Sequence, residues 1–221
     1  MTSDYTIRKA TGTDIDFIAD AIIAAEKSGT EKAAMAATFN LTEANLKKIV
    51  IACLEEETSG SELSLDSYLI AEKEGKRVAA VAGWIEGFEH NLSSRIVRSN
   101  LIQYSFPKES ISFVQGNSLA IRDIIIEREK LTLQIEYVYT APEHRRHGLA
   151  ADLIQQHIQN AVLQYAELKK IQVQVFSNNV NAVKLYEQAG FKITSRAISH
   201  HSETLKYLPY NEKLLMEKVI E

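Results

Sequence analysis

The run Gln134-Ile135-Glu136-Tyr137-Val138-Tyr139-Thr140, followed by Ala141-Pro142-Glu143-His144 and then Arg145-Arg146-His147-Gly148-Leu149-Ala150, decides how this chain is read. Leu131 to Thr140 is rich in β-branched, aromatic and other apolar residues, the composition of a buried strand. Pro142 forbids its orderly continuation. Beyond Gly148 the apolar positions become Leu149, Leu153, Ile154, Ile158, Val162 and Tyr165. That is a helical period, so a helix is predicted to start near His147 or Gly148. The first amides of a helix have no acceptor within it and point outward at the positive end of the helix dipole. A phosphate fits there. Gly148 lets a ligand approach the backbone, small Ala150 does not obstruct it, and Arg145 and Arg146 add charge-assisted bonds. Strand, cationic glycine turn and helix together predict an anion site. The chain has neither a Gly-x-x-x-x-Gly-Lys-Ser/Thr loop nor a Gly-x-Gly-x-x-Gly fingerprint.

About 30 residues further on comes Asn179-Val180-Asn181-Ala182-Val183-Lys184-Leu185-Tyr186, closing with Gly190-Phe191. One helix and one strand, Ile171 to Phe176, separate it from the glycine turn. The Arg-x-x-Gly-x-Ala turn, with Pro three residues before its Arg, resembles the acetyl-CoA pyrophosphate loop of the GNAT-superfamily N-acetyltransferases. Asn179 to Phe191 resembles that family's later motif, and the two occur in the family's order. The resemblance is strong over residues 131 to 195 and holds only in outline over the first 87. It implies an α/β (mixed α+β) GNAT-like fold, with a central, mostly antiparallel twisted sheet of about seven strands, a splayed parallel pair and helices on both faces.

The resemblance also implies direct transfer of an acetyl group from acetyl-CoA to a primary amine within a ternary complex. The pantetheine arm would bond to the backbone of Val138, Tyr139 and Thr140. The pyrophosphate would lie on Arg145, Arg146, His147, Gly148, Leu149, Ala150 and Ala151. Asn179 would contact the coenzyme, and Tyr186 would protonate the departing thiolate. A different acyl-CoA donor, or a non-catalytic acetyl-CoA sensor on the same fold, are the rival readings.

An alkylamine has a pKa of about 10.4 and must lose a proton before it attacks, which asks for a general base. Relatives place theirs where this chain has Gln134 or Gln174, and neither amide can serve. Glu136 is therefore the candidate. Strand alternation predicts that it shares a face with Val138 and Thr140. Two plainer roles stay open: Glu136 held by a structural partner, as buried carboxylates usually are, and Tyr186 as a packing residue.

The chain has 221 residues, 45% hydrophobic and 24% charged, an ordinary globular composition read here as a single domain over residues 1–221. A net charge of −4 argues against a nucleic-acid partner without opposing a local cationic turn. The single cysteine, Cys53, sits in an apolar run and reads as a buried thiol. Met1 to Tyr5 carries no basic or apolar leader pattern and no run approaches the ~20 residues of a membrane span. A cytoplasmic protein with no membrane partner is expected, and a homodimer is left open. His144-x-x-His147 and His200-His201 lack a carboxylate or Cys at metal-site spacing, so no metal is expected.

Along the chain, Tyr5 to Ala10 reads as a first strand. Thr13 reads as the cap of a helix carrying Ile15, Ile18, Ile22 and Ile23, and Thr42 as the cap of a second helix. Tyr68 to Glu72 and Arg77 to Ile85 flank a Glu74-Gly75-Lys76 turn, a hairpin signal. Residues 88–130 exceed the compact family pattern and are predicted to hold an inserted helical element, with Ser118 to Glu129 helical. A role over the acceptor side and a role as scaffold or oligomer contact are equally open, and Arg95 and Arg98 suit either an anionic group on the acceptor or a solvated basic helix face. Lys192 to Ser199 and Lys213 to Ile220 complete the strands, with a loop between them that reaches toward the site.

Overall fold

The computed structural model describes residues 5–88 and 91–220. Of the stretch read for a leader, Met1 to Tyr5, the first four residues lie outside them, as do Glu89, His90 and Glu221. Seven strands form one sheet: β1 (Thr6–Lys9), β2 (Tyr68–Lys73), β3 (Lys76–Ile85), β4 (Leu133–Thr140), β5 (Lys170–Phe176), β6 (Lys192–Ile198) and β7 (Glu212–Val219). Their order is β1-β2-β3-β4-β5-β7-β6. Every neighbouring pair is antiparallel except β4 and β5, which run parallel. The β2–β3 hairpin turns through Glu74 and Gly75, both at positive φ (51° and 75°), the geometry that a tight two-residue turn demands.

Alternation along the strands feeds two cores. Tyr68, Ile70, Ala80, Ala82 and Trp84 face α1 (Ile15–Glu26) and α3 (Glu43–Glu55), with the five-residue α2 (Ala34–Thr38) between those helices. Leu69, Ala71, Val81 and Ile135 face α7 (Leu149–Gln164) and α8 (Val180–Gln188) on the other side. Inside the second core His157 of α7 donates from Nε2 to the Val81 carbonyl at 2.9 Å. A Cβ on Gly83 would stand 2.6 Å from that ring, so the strand needs glycine there for close approach. Cys53 is buried in the first core, and burial pushes its thiol up.

The insert holds α4 (Ser94–Ser105), α5 (Lys108–Gly116) and α6 (Leu119–Arg122). The predicted helix over Ser118 to Glu129 is thus confined to its first turn. After Arg122 the chain runs back to β4 without helix, its side chains drawn to separate partners: Ile124 to Ala34 and Leu208, Glu127 to Arg95, Arg128 to Glu136 and Glu129 to Lys170. Leu101 and Phe106 are buried in the first core, and the Phe106 ring lies 4.5 Å from that of Phe39. Thr42 caps α3, accepting from the Asn45 amide at 3.2 Å. Thr13 does not cap α1. A short 3-10 turn precedes that helix, and the buried Asp14 carboxylate instead takes the Thr11 amide (2.8 Å), Arg8 and Arg77. Another short helix, α9 (Thr204–Tyr207), lies in the β6–β7 loop. Among the described residues no helix is long and apolar enough to cross a membrane.

Candidate active site

The β4–β5 ladder consists of Leu133↔Ile171, Gln134↔Gln172 and Ile135↔Val173, and then stops. Both strands continue, β4 to Thr140 and β5 to Phe176, so they part like a wedge. Gln134 and Gln172 bond to each other (2.8 Å) just behind the opening, which makes Gln134 a strut rather than a reactive group. Gln174 donates to the Ile126 carbonyl at 3.0 Å and is likewise engaged. A cleft of about 1310 Å³ runs through the wedge. Beyond Ile135 the β5-facing edge of β4 presents backbone groups that an extended ligand can bond as a strand would.

At one end of the cleft is the glycine turn. Gly148 has φ 81° and precedes the first residue of α7, and Arg146 also lies in the left-handed region at φ 64°. The first amide with a partner inside the helix is that of Asp152, which reaches the Gly148 carbonyl at 3.0 Å. Among the described residues the amides of Leu149, Ala150 and Ala151 have none, and all three residues line the cleft with Arg145, Arg146 and Gly148. Positive dipole end, outward amides and two guanidinium groups suit a pyrophosphate. Arg145 Nε also donates to the Thr140 carbonyl at 3.1 Å, tying the turn to the strand end. His147 is not among the cleft-lining side chains. Its Nδ1 contacts the His144 carbonyl (3.2 Å), and its ring lies against Tyr5.

The middle of the cleft carries Val138, Tyr139, Thr140, Asn179 and Tyr186. Asn179 caps α8, accepting from the Ala182 amide at 3.3 Å, and donates to Ser28 Oγ at 3.4 Å. The Tyr186 ring packs edge-on against Phe191, 5.8 Å between centroids. Burial, reinforced by Glu136, pushes its phenol well up, so it stays protonated through the neutral range.

Glu136 lines the cleft, but not on the face that strand alternation predicts. Tyr137 has φ 48° and the β3–β4 register shifts beside it, a β-bulge. The extra residue resets the alternation. Val138 packs into the second core, while Tyr137 and Tyr139 turn to the first, the side on which Glu136 meets Arg128. Arg128 Nε donates to Glu136 Oε1 at 3.2 Å and Nη2 contacts the same oxygen. Nη2 also lies 3.5 Å from Glu62, a fully buried carboxylate that Arg98 approaches at 3.3 Å. Neither oxygen of Glu62 nor Nε of Arg98 completes a hydrogen bond. Burial pushes the Glu136 carboxyl above its ordinary range, with Arg128 opposing and Glu62 adding to the rise. Tyr137 in turn donates to Glu26 at 2.8 Å. Arg98 is therefore matched within the chain, and exposed Arg95 pairs with Glu127 at 2.6 Å, so neither is a spare cation for an acceptor.

Sequence reasoning missed Glu26, Glu62, Arg128 and Lys213. Alternation with inward Leu214 and Met216 does place Lys213 on the opposite face. Nothing local marks the acids or Arg128, which reach the site from α1, a loop and the tail of the insert.

No curated protein matches the sequence. Solved structures match the fold. An N-acetyltransferase from Staphylococcus aureus Mu50 aligns with a TM-score of 0.66 at 18% identity, covering 96% of this chain and 100% of its own. An agmatine N-acetyltransferase aligns at 0.60 and 14%, covering 99% and 100%. The yncA protein of Salmonella typhimurium, solved with its cofactor acetyl-CoA, aligns at 0.52 and 14%, covering 99% and 95%. The sequence profile of the acetyltransferase (GNAT) family matches residues 38–191, so the wedge, the glycine turn and Tyr186 all lie in the matched region. The chain belongs to the GNAT acetyltransferase family.

Proposed function

We propose that the protein transfers an acetyl group from acetyl-CoA directly to a primary amine in a ternary complex. The observation that carries this reading is the wedge between β4 and β5, which opens between the anion-binding turn at one end and Glu136 at the other. The pyrophosphate lies on the amides of Leu149 to Ala151 with Arg145 and Arg146, and the pantetheine arm bonds along Val138 to Thr140. A main-chain amide of β4 stabilises the oxyanion as the amine attacks the thioester carbonyl. Glu136 takes the ammonium proton directly or through water, helped by a carboxyl raised toward the working pH. Its pairing with Arg128 orients one oxygen and leaves the other to act. Tyr186 donates to the departing thiolate. His147 acts only as a spacer in the turn, its side chain held away from the cleft.

The test is thiol release from acetyl-CoA with a panel of amines. Amine-dependent release is expected. Acetyl-CoA binding with no release above hydrolysis for any amine would replace the enzyme with a sensor on the same fold.

A further inference from the structure

The cleft continues past Glu136 into a region with its own chemistry. Ala34, Ile124 and Leu208 form a small buried cluster apart from both main cores, with Ile121 and Phe176 packed on it. These residues line the cleft together with Met35 and Phe39. The far wall is thus apolar, built by α2, the insert and the β6–β7 loop.

One cation stands at the edge of this wall. Lys213 pairs in register with Phe176, and its Nζ lies 5.1 Å from the Phe176 ring centroid. Arg95, Arg98 and Arg128 line the same end, and each has a carboxylate partner. Among the described residues Lys213 has none, only the ring. Burial pushes its amine down, while Glu136 and Glu26 act at longer range to hold it up. A half-buried ammonium without a bonded anion is less well solvated than a free one, and a ligand carboxylate would satisfy it through charge-assisted bonds.

We propose that the acceptor is an α-amino acid with a large apolar side chain, its carboxylate on Lys213 and its side chain against Met35, Phe39, Ile121, Ile124 and Leu208. The assignment rests on the acetyl-transfer reading above. Glu136 on β4 and Lys213 on β7 line the same cleft, with β5 between them, so a single acceptor lying across it meets Glu136 with its amine and Lys213 with its carboxylate. A polyamine would bring a second ammonium against Lys213. A peptide N-terminus offers an amide carbonyl where the carboxylate should be.

Thiol release with leucine, leucinamide, glycine and spermidine separates these cases. Leucine should exceed leucinamide in kcat/KM by about tenfold or more, because the unmatched cation rejects a ligand without the anion, and should exceed glycine, which carries the anion but leaves the apolar wall uncovered. Lys213→Met should bring the leucine to leucinamide ratio near one while acetyl-CoA affinity, read by calorimetry, stays unchanged. Lys213→Arg should keep the preference, and it serves as the variant if the methionine does not fold. Spermidine or leucinamide outperforming leucine in the wild type would overturn the proposal and leave acetyl transfer standing. A leucine preference surviving in Lys213→Met would also overturn it. No thiol with any amine would remove both readings.

Discussion

Tyr186 and Glu136 face one cleft from different elements, and their environments push both toward their protonated forms, chiefly through burial. Tyr186→Phe keeps the ring that packs on Phe191 and removes only the hydroxyl. Acetyl-CoA affinity should hold while kcat falls by about a hundredfold or more. An unaltered kcat would make Tyr186 a packing residue. Glu136→Gln leaves Arg128 with an amide in place of a carboxylate and removes the proton acceptor. Its kcat/KM should fall most at low pH, where free amine is scarce. A wild-type pH–rate profile in this variant would show that Glu136 serves Arg128 alone. His157 makes a prediction about stability. Burial lowers it to about 4, against an ordinary value of about 6.5. The fold prefers the neutral ring, so its contribution is complete above pH ~6.5 and is lost as pH falls toward 4. The shift corresponds to about 3 kcal/mol across that window. His157→Gln keeps a donor for Val81 without a titrating group, and its urea midpoint should fall less than that of the wild type between those pH values. Parallel curves would contradict this.

The glycine turn and the bulged strand are the elements that make the site. Gly148 needs its freedom for conformation rather than space, since a Cβ there would meet only Asp152 Oδ2, at 3.9 Å. Its φ of 81° costs an ordinary L-residue about 1–2 kcal/mol. Gly148→Glu also puts a carboxylate at the mouth of the outward amides. A folded variant, verified by its melting transition, should lose acetyl-CoA affinity in calorimetry, and unchanged affinity would move the pyrophosphate elsewhere. The turn was legible in the sequence because each part is local: Pro142, two arginines, a glycine and a change of period. The bulge at Tyr137 was not. An aromatic residue at φ 48° follows no local preference, and Tyr137 is held there by its bond to Glu26 of α1 and by packing in the first core. The sidedness of Glu136 followed from that unseen residue.

At the scale of the molecule, the insert belongs to the first core as well as to the cleft, since Leu101 and Phe106 are buried there. Removing it would cost stability, so its role is better tested by filling the pocket. Ile121→Trp, on the wall of the cleft, should raise KM for the amine severalfold with acetyl-CoA affinity unchanged. Equal KM values would confine the insert to scaffolding. The family, the strand–turn–helix and the proposed coenzyme end were legible in the sequence alone, because each is carried by residues adjacent in the chain whose backbone preferences and charges act locally. The acceptor end was decided only by the tertiary structure. Its charges, Glu26, Glu62, Arg128, Glu136 and Lys213, come from five separate stretches of chain. Which of them are matched and which is left over is a property of burial and distance, and neither exists until the sheet and its helices have assembled.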